Sequence, residues 1–599
     1  MCYIRRWCFR RIIFCNSAEN PRYFLFDCND LDGFPMARKG ESGKAIGVAL
    51  VGSFIGGTFS FIMLLCCAPI LAKAALKFGP AEYFAVSLLG LSTIAAVVGD
   101  STVKGLLSAA VGLAMGTVGL DVIMGSPRFT FGRIELVSGF DVLVVMIGCF
   151  AVPQLLHDVI CPSRIKVDSD TSIKGMLPSL SFLKAQTVNF LRSSVIGTWV
   201  GLLPGAGGSI ASLLSYDQAK KASKYPENFG TGVPDGVVAS ETANNAVIGG
   251  SLIPMLTLGI PGDTPAAVLL AAFTLHGMQA GPLLYKQNPE MVNLILGSLF
   301  VSNILMILIA LLGAKYIVRT LEFPKEYLIP IIIVMCIIGT YATNQRSFDI
   351  VIMLAVGLLG FVMERYGFPV SPLVLGVVLG PLLEKNFRRA VQVSNSGIWG
   401  IISRPITAVV LALVAVNFCR PLFSFLFKCW KRRSMTVLSD VTFEEDTGEK
   451  RTFKINRIAG ACVIAGGMLY YYWASLLGSA VMKETAYGPD FYPKILAAII
   501  VLLGVMLLVM KPQKKDRIMD EKINKRILFI AAAALVIYPF LILKLGFVVS
   551  GILFLSLSFM FLGKIKWFKA ALVSMITIAA LSFVFEKIFI IILPHGMIL

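Results

Sequence analysis

Apolar runs near the roughly 20 residues that carry a helix across a bilayer recur along almost the whole chain. They fall at Ala45–Leu71, Glu82–Gly99, Gly105–Leu120 and Val142–Leu156, resume at Met291–Val318, Tyr327–Tyr341, Phe348–Met363, Pro372–Leu383 and Ile406–Phe427, and continue with Ile458–Ala480, Phe491–Met510, Ile527–Leu543, Phe547–Leu562 and Trp567–Ile592. A soluble core has no use for so many. Of 599 residues, 56% are hydrophobic and only 15% charged, against about 25% charged in a soluble domain. That composition excludes a soluble enzyme, a disordered chain and a secreted disulfide scaffold. The expected fold is an all-α polytopic membrane protein embedded in a lipid bilayer.

The charge balance, 54 basic against 35 acidic residues, gives +19. In a membrane protein this excess marks loops kept on the cytoplasmic side, so no nucleic acid is implied. The twelve cysteines show no metal-ligand spacing, and Cys66 and Cys67 sit together in an apolar run. His157, His276 and His595 are scattered, so no metal and no cofactor is expected.

Four segments emerge. Residues 1–30 hold Cys2, Cys8, Cys15 and Cys28 with Arg5, Arg6, Arg10 and Arg11 and no long apolar core, which suits neither a secretory signal nor a span. Residues 31–427 form a large membrane domain. Residues 428–457 open with KCWKRR, continue into SDVTFEEDTGEK and carry no apolar run, as expected of a cytoplasmic linker. Residues 458–599 form a small helical membrane domain.

Two interruptions carry the chemistry. In GLLPGAGGSIASLL, Pro204, Gly205, Ala206, Gly207 and Gly208 break an apolar segment before Ser209 opens another. Such backbone is tolerated in hydrocarbon only where protein buries it or it lines a wet cavity. With Ser209 as the cap of a second half-helix, free N–H groups and the positive dipole end would face the gap and suit an anion. In SLIPMLTLGIPGDTPAAVLL, Gly259, Ile260, Pro261 and Gly262 make a second break, and Asp263 or Thr264 caps the helix that follows, with Pro265 at its start. A pair of broken segments is the pattern of a secondary transporter.

Between the breaks, GVVASETANNAVIGGS sets Ser240, Glu241, Asn244, Asn245 and Ser251 on one arc of about 140° of a helix. A carboxylate there is functional by default. Because it would repel an anion, Glu241 with Asn244 and Asn245 is expected to serve a coupling cation, either Na⁺ or a proton; a structural ion pair or a helix start is the plainer alternative. RKGESGKA at 38–45 misses both key positions of a nucleotide-binding loop. Lys104, Arg133 and Lys174, near apolar ends, read as snorkelling anchors.

The strings GLLPGAGGSIASLLSYDQAKKAS, GVVASETANNAVIGGSLIPMLTLGIPGDTPAAVLL and GTVGLDVIMGSPRFTFG make residues 31–427 resemble the large membrane subunit of the tripartite tricarboxylate transporter family. From about Arg457, AYGPDFYPKILAAIIVLLG and FEKIFIIILPHGMIL are similar to that family's small membrane subunit. The resemblance implies two fused subunits that work with an extracytoplasmic solute-binding protein delivering a carboxylate. It also implies two related halves in the large subunit, with Leu275, His276 and Gly277 matching Leu31, Asp32 and Gly33, so that the first repeat is expected to be truncated here and residues 1–30 to be a wrong frame or start. The function expected is uptake of a small carboxylate by a permease in the bacterial inner membrane, not catalysis. The alternatives are a truncated, non-transporting scaffold and an intramembrane enzyme using Glu241.

Overall fold

The computed structural model describes residues 32–594, apart from 34, 37, 38, 40, 98–101, 161–176, 205–206, 322–324, 395–396, 417–446, 478–487 and 510–524. The segment 1–30, linker residues 428–446, Lys174, Gly205 and Ala206 lie outside these.

The first helices are α1 (Ser42–Ala75), α2 (Pro80–Val97), α3 (Thr102–Met115) and α4 (Val142–Ile160). Next come α5 (Thr187–Leu202), α6 (Gly207–Ala222), α7 (Pro234–Leu258) and α8 (Thr264–Leu275). Then follow α9 (Pro289–Leu321), α10 (Lys325–Asn344), α11 (Ser347–Arg365), α12 (Val370–Val393) and α13 (Pro405–Val416). The C-terminal unit comprises α14 (Thr447–Leu477), α15 (Phe491–Val509), α16 (Lys525–Gly563) and α17 (Trp567–Phe583). Among the described residues, ten helices are long and apolar enough to cross a membrane. Helix α16 is broken at Gly546, whose φ of 75° interrupts the helix where the sequence separates two runs.

The run at 105–120 is not one helix. Helix α3 stops at Met115, and Gly119–Leu120 (β1) pairs antiparallel with Pro127–Arg128 (β2). Gly119, at φ 115°, packs against the Gly139 backbone, so the chain turns where a helix would have continued. Lys104 is no snorkelling anchor either. It is 2% exposed, with Nζ donating to the Tyr366 carbonyl at 3.1 Å and lying 5.4 Å from the centre of the Phe368 ring.

Packing divides the helices into two bodies. The first holds α1 and α5–α9, with small cores such as Leu64, Ala68, Leu252 and Leu256 at one level and Val48, Ala49, Phe190 and Val238 at another. The second holds α2–α4 and α10–α12 with the C-terminal unit, under one continuous core running from Leu107, Val145 and Val374 to Leu503, Tyr538 and Phe559. Helix α8 is the seam: Ala266 belongs to the first body's core and Ala267 to the second's. Lipid gives apolar side chains little reason to leave it, so close backbone approach has to hold such helices together. Gly112 of α3 faces the Leu373 carbonyl, and Gly376 of α12 faces that of Ala109, with no room for a side chain at either.

The strand pair ends in a buried charge cluster. Arg128 reaches both carboxylate oxygens of Glu384, at 2.6 and 3.0 Å; Arg388 reaches Asp121 at 2.5 Å and Glu384 at 3.1 Å, and all four side chains are at most 1% exposed. Two positive and two negative groups balance. Beside the cluster the C-terminal unit docks: Tyr470 shares a 2.7 Å hydrogen bond with Thr117 and stacks on Phe129 at 5.0 Å, while the Pro489 carbonyl accepts from Arg128 at 3.4 Å. Removing one charge from a buried set leaves its partner uncompensated, at a cost of about 3–5 kcal/mol. Glu384→Gln is therefore expected to lower stability by about that amount, read as a drop in Tm of the detergent-solubilised protein.

Candidate functional site

Helix α7 runs through the middle of the first body, and of its 25 residues nearly all are buried, apolar and polar faces alike. At 1.5 Å per residue it is about 37 Å long, and its residue numbers serve as a depth scale for everything packed on it. The entry to α7 is fixed by Asp32, which is fully buried. One of its oxygens accepts from the Gly230, Gly232 and Val233 N–H groups at 2.8–2.9 Å, and the other accepts from the Tyr216 hydroxyl at 2.9 Å. The carboxylate thereby ties the α6–α7 loop to the N-terminal segment.

Against that scale, α5 rises with α7, since Gly197 lies on Ala243 and Gly201 on Val247 and Gly250. Helix α6 descends: Gly208 meets Asn244, Ser212 donates to the Ser240 carbonyl at 3.0 Å, and Tyr216 lies by Gly236. The first break thus does not divide one crossing helix into halves; it is the tip of a re-entrant hairpin, level with the middle of α7. Proline and glycine end α5 so early that the chain reverses there. Helix α6 starts at Gly207, two residues ahead of the expected cap, because a φ of 68° suits glycine and turns the chain directly into the helix. Ser209 is in the first turn and is not the cap.

The second break also doubles back. Gly259, at φ 74°, closes α7, and the Ile260 N–H donates to the Pro254 carbonyl at 3.3 Å, satisfying the helix end. Three residues later Gly262 is pressed on Ser251 and the Gly201 carbonyl, about two turns lower. There α8 begins, with Asp263 as its cap accepting from the Ala266 N–H at 2.9 Å and Pro265 in the first turn, as the sequence predicts. After α8 the chain returns to α7's end, where the Gly281 N–H donates to the Leu256 carbonyl at 3.2 Å.

The two tips meet. Gly262 lies on Gly201, just before the first break, and Gly90 of α2 lies against both Pro204 and Ile260. The N-termini of α6 and α8 therefore both start in the middle of the protein, beside this junction, where the first amides of each helix have no partner within it. The tips differ in access. Gly259 through Asp263 are buried, whereas Pro204, Gly207, Gly208, Ser209 and Thr264 are half-buried and Gly207 faces open space.

Glu241, 1% exposed, accepts from the Ser53 hydroxyl of α1 at 2.9 Å and from the Asn245 amide at 3.3 Å, while that amide also donates to Ser53 at 2.8 Å. Asn244 is not in this group; its side-chain oxygen points at Gly208 and the start of α6. The expected trio is thus split between two places. Ser53, Asp32 and Tyr216 escaped the sequence reading as site residues; small residues around Ser53 in VGSFIGG were the available signal. Among the described residues no group of three or more His, Cys, Asp or Glu side chains could hold a metal ion.

A many-spanning bundle with two facing re-entrant tips is the architecture of a secondary transporter. The model of the tripartite tricarboxylate transporter TctA family matches residues 29–375, and that of the TctB family matches residues 457–594. The chain belongs to the TctA family and carries a TctB-family unit in the same polypeptide: it is a transport protein, not an enzyme. It is 38% identical over 386 residues, 64% of this chain and 76% of the relative, to an uncharacterized 52.8 kDa protein in the TAR-I ttuC' 3'region of Agrobacterium vitis. It is 39% identical over 217 residues, 36% of this chain and 90% of the relative, to an uncharacterized protein in the TAR-II ttuC' 3'region of the same organism. No solved structure matches it.

Loss of a helix cap costs about 1 kcal/mol. Asp263→Ala should therefore destabilise the protein by about that much in thermal unfolding, and Asp263→Ser, which keeps an acceptor, should recover most of the loss.

Proposed function

We propose that this chain is the permease of a cation-coupled uptake system in the bacterial inner membrane, which accepts a small carboxylate from an extracytoplasmic solute-binding protein. The observation that carries this reading is the convergence of two helix N-termini on tips that contact each other in the protein's middle. The N-terminus of α6 presents its first amides and a positive dipole end, which favour an anion; at α8, where Pro265 has no N–H and Asp263 takes that of Ala266, Thr264 is the residue left to reach it. The carboxylate would lie against the half-buried side, at Pro204–Ser209 with Thr264. The sealed stretch from Gly259 to Asp263 forms the wall behind it. Asn244 belongs with this wall.

Glu241, Ser53 and Asn245 serve the coupling ion. Three oxygen-bearing side chains from α1 and α7 suit Na⁺ once the Asn245 amide turns its oxygen inward, and the same carboxylate suits a proton. Asn244, one turn along α7 from Glu241, lies against the start of α6, so the cation and the carboxylate are linked through that helix.

The test is uptake of labelled citrate, succinate and lactate into cells expressing the chain with its binding protein, with and without Na⁺ and across pH. Gly207→Trp fills the open space at the first tip, and the reading expects uptake to fall at least about tenfold, equal to about 1.4 kcal/mol, with membrane insertion retained, while Gly207→Ala, which meets the same strain at φ 68° without the bulk, keeps most of the uptake. Glu241→Gln should remove the dependence on Na⁺ or on pH. Uptake at the parental rate in Gly207→Trp would overturn the site, and unchanged ion dependence in Glu241→Gln would overturn the coupling role.

A further inference from the structure

The structure assigns the C-terminal unit a role: we propose that it is the stationary anchor of a two-body transporter, and that the body holding α1 and α5–α9 moves against it as a unit. The inference rests on the proposed uptake function. Both tips, Glu241 and Asp32 lie in the first body, tied to one another through α7. The C-terminal unit touches the other body instead. Its α15, α16 and α17 complete the core of α3, α4, α10, α11 and α12, Phe491 stacks on Phe387 of α12 at 6.0 Å, and Phe559 meets Tyr327 of α10 at 5.3 Å. The Arg128–Glu384 cluster with Tyr470 and Pro489 pins this joint.

Between the bodies the packing is of another kind. The helix at the seam, α8, offers Ala266 to one body and Ala267 to the other, and Gly90 of α2 lies against both tips. The seam rests on one short helix and a few small residues, whereas the joint with the C-terminal unit is aromatic and ionic as well as apolar. The substrate site lies at the seam, so displacement of the first body would open it to alternate sides while the enlarged second body keeps its place in the lipid.

The experiment places spin labels at Leu191 (α5, 57% exposed), Val362 (α11, 47%) and Ile576 (α17, 61%) through an encoded unnatural amino acid, leaving the twelve native cysteines in place. Pairwise distances are measured in lipid nanodiscs without ligand, with Na⁺, at acidic pH, and with citrate, succinate or lactate, while uptake by the same labelled proteins is measured in cells. Expected is a Leu191–Val362 distribution that shifts between conditions by about 5 Å or more, one helical turn, with Val362–Ile576 unchanged. A fixed Leu191–Val362 distance in a protein that performs uptake overturns the two-body proposal, as does an equal shift in Val362–Ile576. Movement without uptake of any carboxylate overturns the proposed substrate and leaves the anchor role standing. A fixed distance without uptake overturns both.

Discussion

A peptide group that leaves helical hydrogen bonding inside a bilayer must find its partner in protein, and this requirement governs the first body. Two stretches of chain leave the helix at mid-depth, and each is possible only because α7 stands beside it. Gly201 and Gly250 bring α5 into backbone contact with α7, Gly262 presses the second tip on Ser251, and Asn244 reaches the start of α6. The pair of tips also shields itself, since one lies on the other. Remove α7 from this arrangement and neither excursion has a surface to rest on. That explains a helix too polar to count among the apolar spans yet buried all round: its environment is protein, not lipid.

The same requirement accounts for the chemistry. Helix ends that are unsatisfied in a protein interior must be met by caps, water or ligand. At α8 the Asp263 cap takes one of the first amides and the tip is sealed. At α6 no side-chain cap is needed to start the helix, because Gly207 turns the chain, and the tip remains half-open. The two ends thus differ in access, one closed and one half-open. A buried carboxylate nearby, at Glu241, accepts from Ser53 of α1 and from Asn245 of its own helix.

How much of this could be read from residues alone follows from what lipid demands. Apolar runs of span length need no tertiary context, and the helices α1, α4, α9–α12 and the C-terminal set fall where such runs stand. The two Gly/Pro breaks were legible for the same reason, as was Asp263 as a cap. Direction was not. Whether a chain passes through a break or reverses at it depends on neighbours, and only the contacts of Gly208, Ser212 and Tyr216 show that α6 comes back down. Lys104 misled because a basic residue near an apolar end looks identical whether it reaches for headgroups or for the Tyr366 carbonyl. Asn244 and Asn245, adjacent in sequence and about 100° apart on the helix, go to different partners, which a shared polar arc conceals.

Fusion of the two units in one chain fits the way they pack. Were the C-terminal helices a lipid-facing appendage, their contacts with the rest would be few and apolar. They instead share one hydrophobic core with the larger unit and reach a charge cluster in which every buried ion has a partner. An ionic cluster of this kind adds little net stability over an apolar one of equal volume, but it tolerates no other register, since any slip leaves an arginine or a carboxylate alone in a dry interior. Position, more than affinity, is what the joint secures. A body whose position is secured is the natural reference against which a second body, bound across the seam, can move.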